Sequence, residues 1–138
     1  MNRPLAAGFD WVDGFIEASL REDVGDGDHS TLACVPEGQT ATFRLLVKQD
    51  GVLAGVRLAE RIFQLAAGAI EMEIALDDGA LAGRGEVAFR VTGDVRGLLT
   101  AERLALNCMQ RMGGIATLTR ELSERIAHTG CRLLDTRK

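Results

Sequence analysis

Residues 70–76 alternate between apolar and polar side chains, and this alternation limits the possible folds more than any other feature of the chain. Successive side chains of a β-strand point to opposite faces, so the pattern predicts a strand with one buried face. A second strand is predicted over residues 87–93, after turns at residues 77–79 and 83–85. A sheet with one apolar face must be covered by other elements. We therefore expect helices on one side of a small sheet.

Two amphipathic segments are predicted to form the covering helices. Residues 56–67 carry an apolar stripe at helical spacing and stop at Gly68, which is a helix C-terminal signal. Residues 10–21 predict another helix with acidic residues on its outer side. Its apolar side is expected to comprise Trp11, Phe15 and Ala18, with Val12 and Ser19 as further candidates.

The remaining segments of the first 95 residues predict a loop and a further strand. The loop covers residues 22–31, which are rich in Gly and Asp. Residues 40–47 predict a strand, and Asp50-Gly51 predicts a hairpin or bend into a short strand. Together these elements predict an α+β fold, an open-faced α/β sandwich over residues 1–99.

Size and composition exclude several classes of protein. At 138 residues the chain has the size of one globular domain, and its apolar stretches are too short for a membrane span. The N-terminus lacks the features of a secretory signal, and the three cysteines form no C-x-x-C pair, so we expect reduced thiols and a cytoplasmic location. A pI of about 5.2 with no Tyr and one Trp argues against nucleic-acid binding.

Positive charge is concentrated near the C-terminal end. Residues 1–95 have a formal charge of −8 and residues 96–138 a charge of +4. Two helical segments are predicted here, separated at Gly113-Gly114. One face of the first helix is expected to be apolar, with Ala101, Leu104, Ala105, Cys108 and Met112. The opposite face collects Arg103, Asn107, Gln110 and Arg111. Neither Arg has an acidic residue four positions later, so this face suits an anionic ligand, although an ordinary exposed helix remains an alternative.

A second basic pair closes the chain. Leu133-Leu134 predicts a buried strand, and Thr136, Arg137 and Lys138 follow at its C-terminal end. In α/β sheets and barrels that end is where ligands bind. A solvated terminus without a role is the equally weighted alternative.

Four segments carry a resemblance to a known family. They are EDVGDGD, LLVKQDGVLAGV, AERLALNCMQRMGGIAT and LDTRK, in the family's order from Glu22 onward. The chain resembles the N-terminal portion of the quinolinate phosphoribosyltransferases, also called carboxylating nicotinate-nucleotide pyrophosphorylases. Gly113 departs from the family's pattern, which has Ser before GIAT. The resemblance implies that residues 100–138 are linker helices and the first strand of an α/β barrel, which is incomplete in this chain.

The resemblance also implies an activity and a site. The family transfers phosphoribose from phosphoribosyl pyrophosphate to the ring nitrogen of quinolinate with Mg²⁺, giving nicotinate mononucleotide, pyrophosphate and CO₂ for NAD biosynthesis. By resemblance, Arg103 reaches the site of the neighbouring subunit of a homodimer and holds a substrate carboxylate. Arg137 and Thr136 bind substrate within their own subunit, and Lys138 serves both substrate and catalysis. The family's Mg²⁺ ligands lie beyond Lys138, so we expect the 138 residues to be a fragment that is inactive alone.

Three other functions are weighed against this one. Residues 26–37 offer acidic positions of a calcium loop, but Thr31 replaces the required Gly. The short strands of residues 40–93, which are separated by glycines, favour a lipoyl-like binding module. Such a carrier module is expected to have a Lys at the hairpin tip, and none lies near residues 77–86. A paralogous phosphoribosyltransferase linked to molybdenum uptake shares a similar N-terminal domain, and the AERLALN and QRMGGIAT segments favour the quinolinate enzyme.

Overall fold

The computed structural model describes residues 11–136, which form helices packed on one face of a small sheet. The helices are α1 (Trp11–Val24), α2 (His29–Cys34), α3 (Val56–Ala67) and α4 (Val95–Ile126), followed by a 3-10 turn at Ala127–Thr129. The strands are β1 (Thr40–Leu46), β2 (Gly51–Val52), β3 (Glu71–Ile74), β4 (Leu81–Ala82) and β5 (Val87–Asp94). The α+β class and the predicted positions of β1, β3, β5 and α3 are confirmed.

The main sheet is antiparallel with the strand order β1-β5-β3. Val91 in the central strand lies opposite Phe43 on one side and Met72 on the other, and all three face the core. The outer face carries exposed Arg44, Arg90 and two Glu residues of β3. Helices α3 and α4 lie on the inner face and α1 packs against these two helices, so this part of the chain is the open-faced sandwich that was predicted.

Of the two alternatives predicted at Asp50-Gly51, a hairpin or a bend into a short strand, the structure has the bend. Strand β1 pairs with β5 along its length, while β2 pairs with β4, which the sequence did not predict. Val47 accounts for the difference, because its backbone N–H donates to the carbonyl of Glu86 and its carbonyl accepts from Gly85. The chain therefore stays alongside the turn that precedes β5, and Asp50-Gly51 is a bend.

Helix α1 turns a different side to the core than its sequence predicts. Val12 and Ile16 are buried, whereas Trp11 is 62% exposed and Phe15 is 42% exposed. Asp13 explains this rotation, because its carboxylate accepts a 2.8 Å hydrogen bond from Nε of Arg61 in α3. The same guanidinium lowers the pKa of Asp13 through its hydrogen bonds. The ion pair and the burial of Ile16 favour the same rotation.

Helix α4 is continuous over 32 residues, so the predicted break at Gly113-Gly114 is wrong. Interior glycines disfavour a helix by about 1 kcal/mol each, but β2 approaches α4 at this point. A Cβ atom at Gly113 would lie 3.2 Å from the carbonyl oxygen of Val52. One turn later, the Thr117 hydroxyl accepts from the Val52 N–H at 2.9 Å and donates to the Gly113 carbonyl at 2.8 Å. The glycine thus serves close packing against a strand.

We expect Thr117→Val to lower the free energy of unfolding by about 1–3 kcal/mol, because it leaves the part-buried Val52 N–H without its acceptor. Urea unfolding followed by circular dichroism measures the change. Thr119→Val is the matched control, since Thr119 is exposed on the same helix and should change stability by less than about 0.5 kcal/mol. Equal effects of the two substitutions would contradict the role assigned to Thr117.

The buried strand predicted near the C-terminus is wrong. Residues 131–136 have no regular secondary structure, and Leu134 is 82% exposed. A parallel strand needs hydrogen-bonded neighbours, and residues 11–136 contain none at this position. The predicted domain boundary between residues 99 and 100 falls inside α4 and stays a prediction. No helix in the described part of the chain is long and apolar enough to cross a membrane.

Candidate substrate-binding face

The polar face predicted for α4 is present. Arg103, Asn107, Gln110 and Arg111 are all exposed on this helix. Ala101, Ala105 and Met109 are buried on the opposite side, against α3 and the sheet. Met112, which was predicted to lie on the apolar side, is 41% exposed. The core thus fixes the rotation of α4 and directs the polar set outward.

Arg103 has an acidic partner, contrary to the expectation from its own helix. Its Nη1 donates to Oδ1 of Asp23 at 3.1 Å. Asp23 lies near the end of α1, 80 positions away, so counting four residues along α4 cannot find it. The Arg103 side chain is 74% exposed and that of Asp23 28%. Within residues 11–136 the guanidinium makes no second hydrogen bond, so its other N–H groups face solvent.

The EDVGDGD segment forms the surroundings of this ion pair. Helix α1 ends in it at Val24, and Gly25 and Gly27 adopt positive φ angles of 60° and 147° in the turn. Asp28 then caps α2 by accepting from the Thr31 backbone N–H at 3.1 Å. Hydrogen bonds from Thr31 lower the pKa of Asp28, and the charge of Arg103 contributes in the same direction. The segment therefore presents carboxylates toward Arg103.

This geometry settles two smaller predictions for residues 22–31. The residues are partly helical instead of forming one loop, since α2 begins at His29. His29 is the first residue of α2, and Asp28 is its capping residue. Its Nε2 lies 3.3 Å from Oδ1 of Asp26. Ser30, a candidate ligand in the calcium-loop alternative, lies within α2, and the carboxylate of Asp28 is engaged by Thr31.

An open cleft of about 670 Å³ lies between the β1–β2 segment and the second half of α4. Gln110 belongs to its lining, which joins the cleft to the polar face of α4. Lys48 and Asp50 line the other side, and Oδ1 of Asp50 accepts a 2.7 Å hydrogen bond from the backbone of Arg84. That bond joins the segment before β2 to the turn before β5.

The three cysteines of the chain lie within residues 11–136. Cys108 is half-buried, and burial raises the pKa of its thiol, which disfavours the nucleophilic thiolate. Cys34 and Cys131 are exposed free thiols. In the same range no three His, Cys, Asp or Glu side chains come together in a way that could hold a metal ion.

The terminal site residues are only partly covered by the structure. Thr136 is exposed in the segment without regular structure, and no described contact joins it to Arg103. Arg137 and Lys138 lie outside the described residues. Their roles and that of Thr136 stay predictions. Asp23 is the one described neighbour of Arg103 to which sequence reasoning assigned no role, although it belongs to the quoted EDVGDGD segment.

Comparison with known families decides what this fold is. Residues 28–113 match the family model described as quinolinate phosphoribosyl transferase, N-terminal domain. The chain belongs to this family. The match covers α2, the sheet, α3 and the half of α4 that carries Arg103. The resemblance inferred from the four sequence segments is thereby confirmed.

Relatives of the quinolinate phosphoribosyl transferase family match most of this chain. A chloroplastic carboxylating nicotinate-nucleotide pyrophosphorylase of Oryza sativa is 42% identical over 124 residues, which is 89% of this chain and 33% of that protein. A probable carboxylating nicotinate-nucleotide pyrophosphorylase of Synechocystis is 38% identical over 129 residues, covering 92% and 43%. The NadC crystal structure from Streptococcus pyogenes aligns with a TM-score of 0.80 at 36% identity, covering 84% of this chain and 42% of that one. The chain thus spans between a third and a half of its relatives' length.

Proposed function

We propose that this chain provides the N-terminal sandwich and the Arg103-bearing helix of a quinolinate phosphoribosyltransferase. The reaction joins phosphoribose to the ring nitrogen of quinolinate, releases pyrophosphate, and then releases the adjacent carboxylate as CO₂ to leave nicotinate mononucleotide. One observation supports this above the others. The family match extends through the segment of α4 whose outer face is cationic and amide-rich, and both substrates of this reaction are polyanions.

Charge and geometry suggest a role for each of the proposed substrate-binding side chains. A guanidinium matches a carboxylate with paired N–H donors, so Arg103 holds a carboxylate of quinolinate in the site of the neighbouring subunit of a homodimer. Arg137 binds a second carboxylate from its own subunit, and Thr136 adds a hydroxyl donor. Lys138 contributes a mobile positive charge toward the phosphates and the reacting ring. Together these cations stabilise the electron pair left on the ring when CO₂ departs.

Magnesium belongs to this proposal through the pyrophosphate co-substrate, whose oxygens are the kind of ligand Mg²⁺ prefers. Within residues 11–136 no group of three or more His, Cys, Asp or Glu side chains could hold a metal ion. No role for Mg²⁺ is therefore assigned to a side chain of this part of the chain. We also propose a cytoplasmic location, supported by the free thiols of Cys34, Cys108 and Cys131.

The proposal is tested with two proteins, the 138-residue chain alone and a completed enzyme. The completed enzyme is this chain joined to the part of the Synechocystis relative that lies beyond the match. We expect nicotinate mononucleotide to form from quinolinate and phosphoribosyl pyrophosphate with the completed enzyme. The chain alone should form none, because it spans only 33–43% of these relatives' length and the rest of the proposed site is expected in the remainder.

The intact Synechocystis protein is the positive control for the assay. A completed enzyme that folds as the control does but forms no product would contradict the proposed function. Turnover by a mass-verified 138-residue chain would contradict the expected division of the site between this chain and the rest of the enzyme. Intact mass measured before each assay excludes contamination by a longer protein.

A further inference from the structure

Arg103 is anchored on its own subunit by a residue outside its helix. The carboxylate of Asp23 holds Nη1 at 3.1 Å, and the negative charge of Asp28 lies close enough to interact with the same guanidinium. Asp23 is the less exposed partner, with 28% of its side chain accessible against 74% for Arg103. It is therefore the more enclosed member of the pair, and Arg103 is the more solvent-exposed one.

The contact leaves Arg103 able to bind a second anion. Only Nη1 is engaged in the described part of the chain, and the guanidinium presents further N–H donors in one plane. A free Arg side chain must lose about 2 kcal/mol of rotamer entropy when it is immobilised on a ligand. Holding one N–H in place reduces that loss before the ligand arrives. If Asp23 occupied all the N–H donors of the guanidinium, it would compete with the ligand. The Arg103 side chain is 74% exposed, so donors remain accessible to a ligand.

The position of Asp23 in the fold suits this role. Helix α1 is fixed to α3 by the Asp13–Arg61 ion pair and to the core by Val12 and Ile16. Asp23 lies near the end of this anchored helix, and Gly25 ends the helix just beyond it. The carboxylate is therefore held by the sandwich, so the direction it imposes on Arg103 is set by the core.

We propose that Asp23 is a positioning residue that orients the Arg103 guanidinium for a substrate carboxylate in the neighbouring subunit. This inference rests on the proposed function, because it takes quinolinate as the anion and Arg103 as its ligand. Asp23 itself touches no substrate. Its effect passes through Arg103, so removing both side chains should do no more than removing Arg103 alone.

The first experiment uses the full chain and follows the Nε–Hε resonance of Arg103 by NMR. In Asp23→Asn the guanidinium should become more mobile, and its heteronuclear NOE should fall below the wild-type value. Asp26→Asn is the matched control, because it removes the same charge from the same segment while Asp26 contacts only His29 among the described residues. Asp23→Glu should restore part of the order.

The second experiment measures steady-state kinetics of the completed enzyme. Asp23→Asn should raise the KM for quinolinate by about 2- to 5-fold, the range for an exposed ion pair, with kcat and the KM for phosphoribosyl pyrophosphate within about 2-fold of wild type. Asp23→Glu should recover part of the loss and Asp26→Asn should show none. The Asp23→Asn, Arg103→Ala double variant should match Arg103→Ala.

The outcomes separate the two proposals. If the heteronuclear NOE of Arg103 is unchanged in Asp23→Asn, the positioning role is overturned and the proposed function stays intact. A KM for quinolinate equal to that of Asp26→Asn has the same consequence. A lower KM in Asp23→Asn also overturns it, because Asp23 would then be a competitor of the substrate. Wild-type kinetics in Arg103→Ala overturn the substrate role of Arg103, and the positioning role with it, while leaving the proposed activity intact. No activity in the folded completed enzyme overturns the proposed function and the positioning role together.

Discussion

Replacing Gly97 with alanine should lower the free energy of unfolding by about 3 kcal/mol, the largest stability change we expect from a single added carbon. Gly97 is buried in the first turn of α4, where this helix crosses the end of α3. A Cβ atom there would lie 2.4 Å from Cα and 2.6 Å from Cβ of Ala67. The nearest atoms belong to a backbone and to a methyl group that cannot rotate away, so the two helices must separate.

Urea unfolding of the 138-residue chain measures this effect, and Gly114→Ala provides the control. Gly114 lies on the same helix with no atom within 4 Å of its added Cβ. Alanine favours a helix over glycine by about 1 kcal/mol, so the control should be neutral or more stable. A Gly97→Ala chain as stable as Gly114→Ala would show that α3 and α4 do not pack as closely as described.

Arg103→Ala should lower kcat/KM for quinolinate in the completed enzyme by about 100-fold. A charge-assisted hydrogen bond contributes about 1.5–3 kcal/mol. The upper part of this range, which we expect for a bidentate pair, corresponds to about a 100-fold change in kcat/KM. The fold should be unaffected, because Arg103 is exposed and its ion pair is a surface contact. Arg120→Ala is the control, since Arg120 lies on the same helix and pairs with Glu124 at 2.8 Å.

Mixed dimers test whether Arg103 acts across subunits. When Arg103→Ala and Lys138→Ala subunits are mixed, half of the dimers should combine one of each, and one site of such a dimer would have both wild-type residues. Activity should therefore return to about a quarter of the wild-type level, as two-fold symmetry requires. Recovery of no activity on mixing would mean that Arg103 and Lys138 act within one subunit.

The elements that sequence analysis predicted well are those with a strong local pattern. Helix α3 has the predicted bounds, because its stripe and Gly68 define it without help from other elements. The sheet residues Met72 and Ile74 face the core as the alternation requires. The rotation of α1 was mispredicted because it depends on Asp13 meeting Arg61, 48 residues later. The continuity of α4 was mispredicted because it depends on β2 approaching Gly113.

The same distinction applies to the candidate site, where one part follows from a local sequence pattern and another depends on the tertiary fold. The cationic face of α4 follows from helical spacing, since residues four apart share a side of any helix. The partner of Arg103 does not follow from spacing, because Asp23 reaches it only after α1 has packed against α4. No local signal marks that carboxylate among the other acidic residues of EDVGDGD. Ion pairs between distant segments are a product of the tertiary fold.

Helix α4 constrains where the chain can change in length. Leu98 is fully buried, and Arg103 lies five positions later on the same continuous helix. Each added residue rotates the remainder of the helix by about 100°, so one insertion between them would turn Arg103 away from its outward direction while Leu98 stayed in the core. A change in length between Leu98 and Arg103 is therefore incompatible with the outward direction of Arg103.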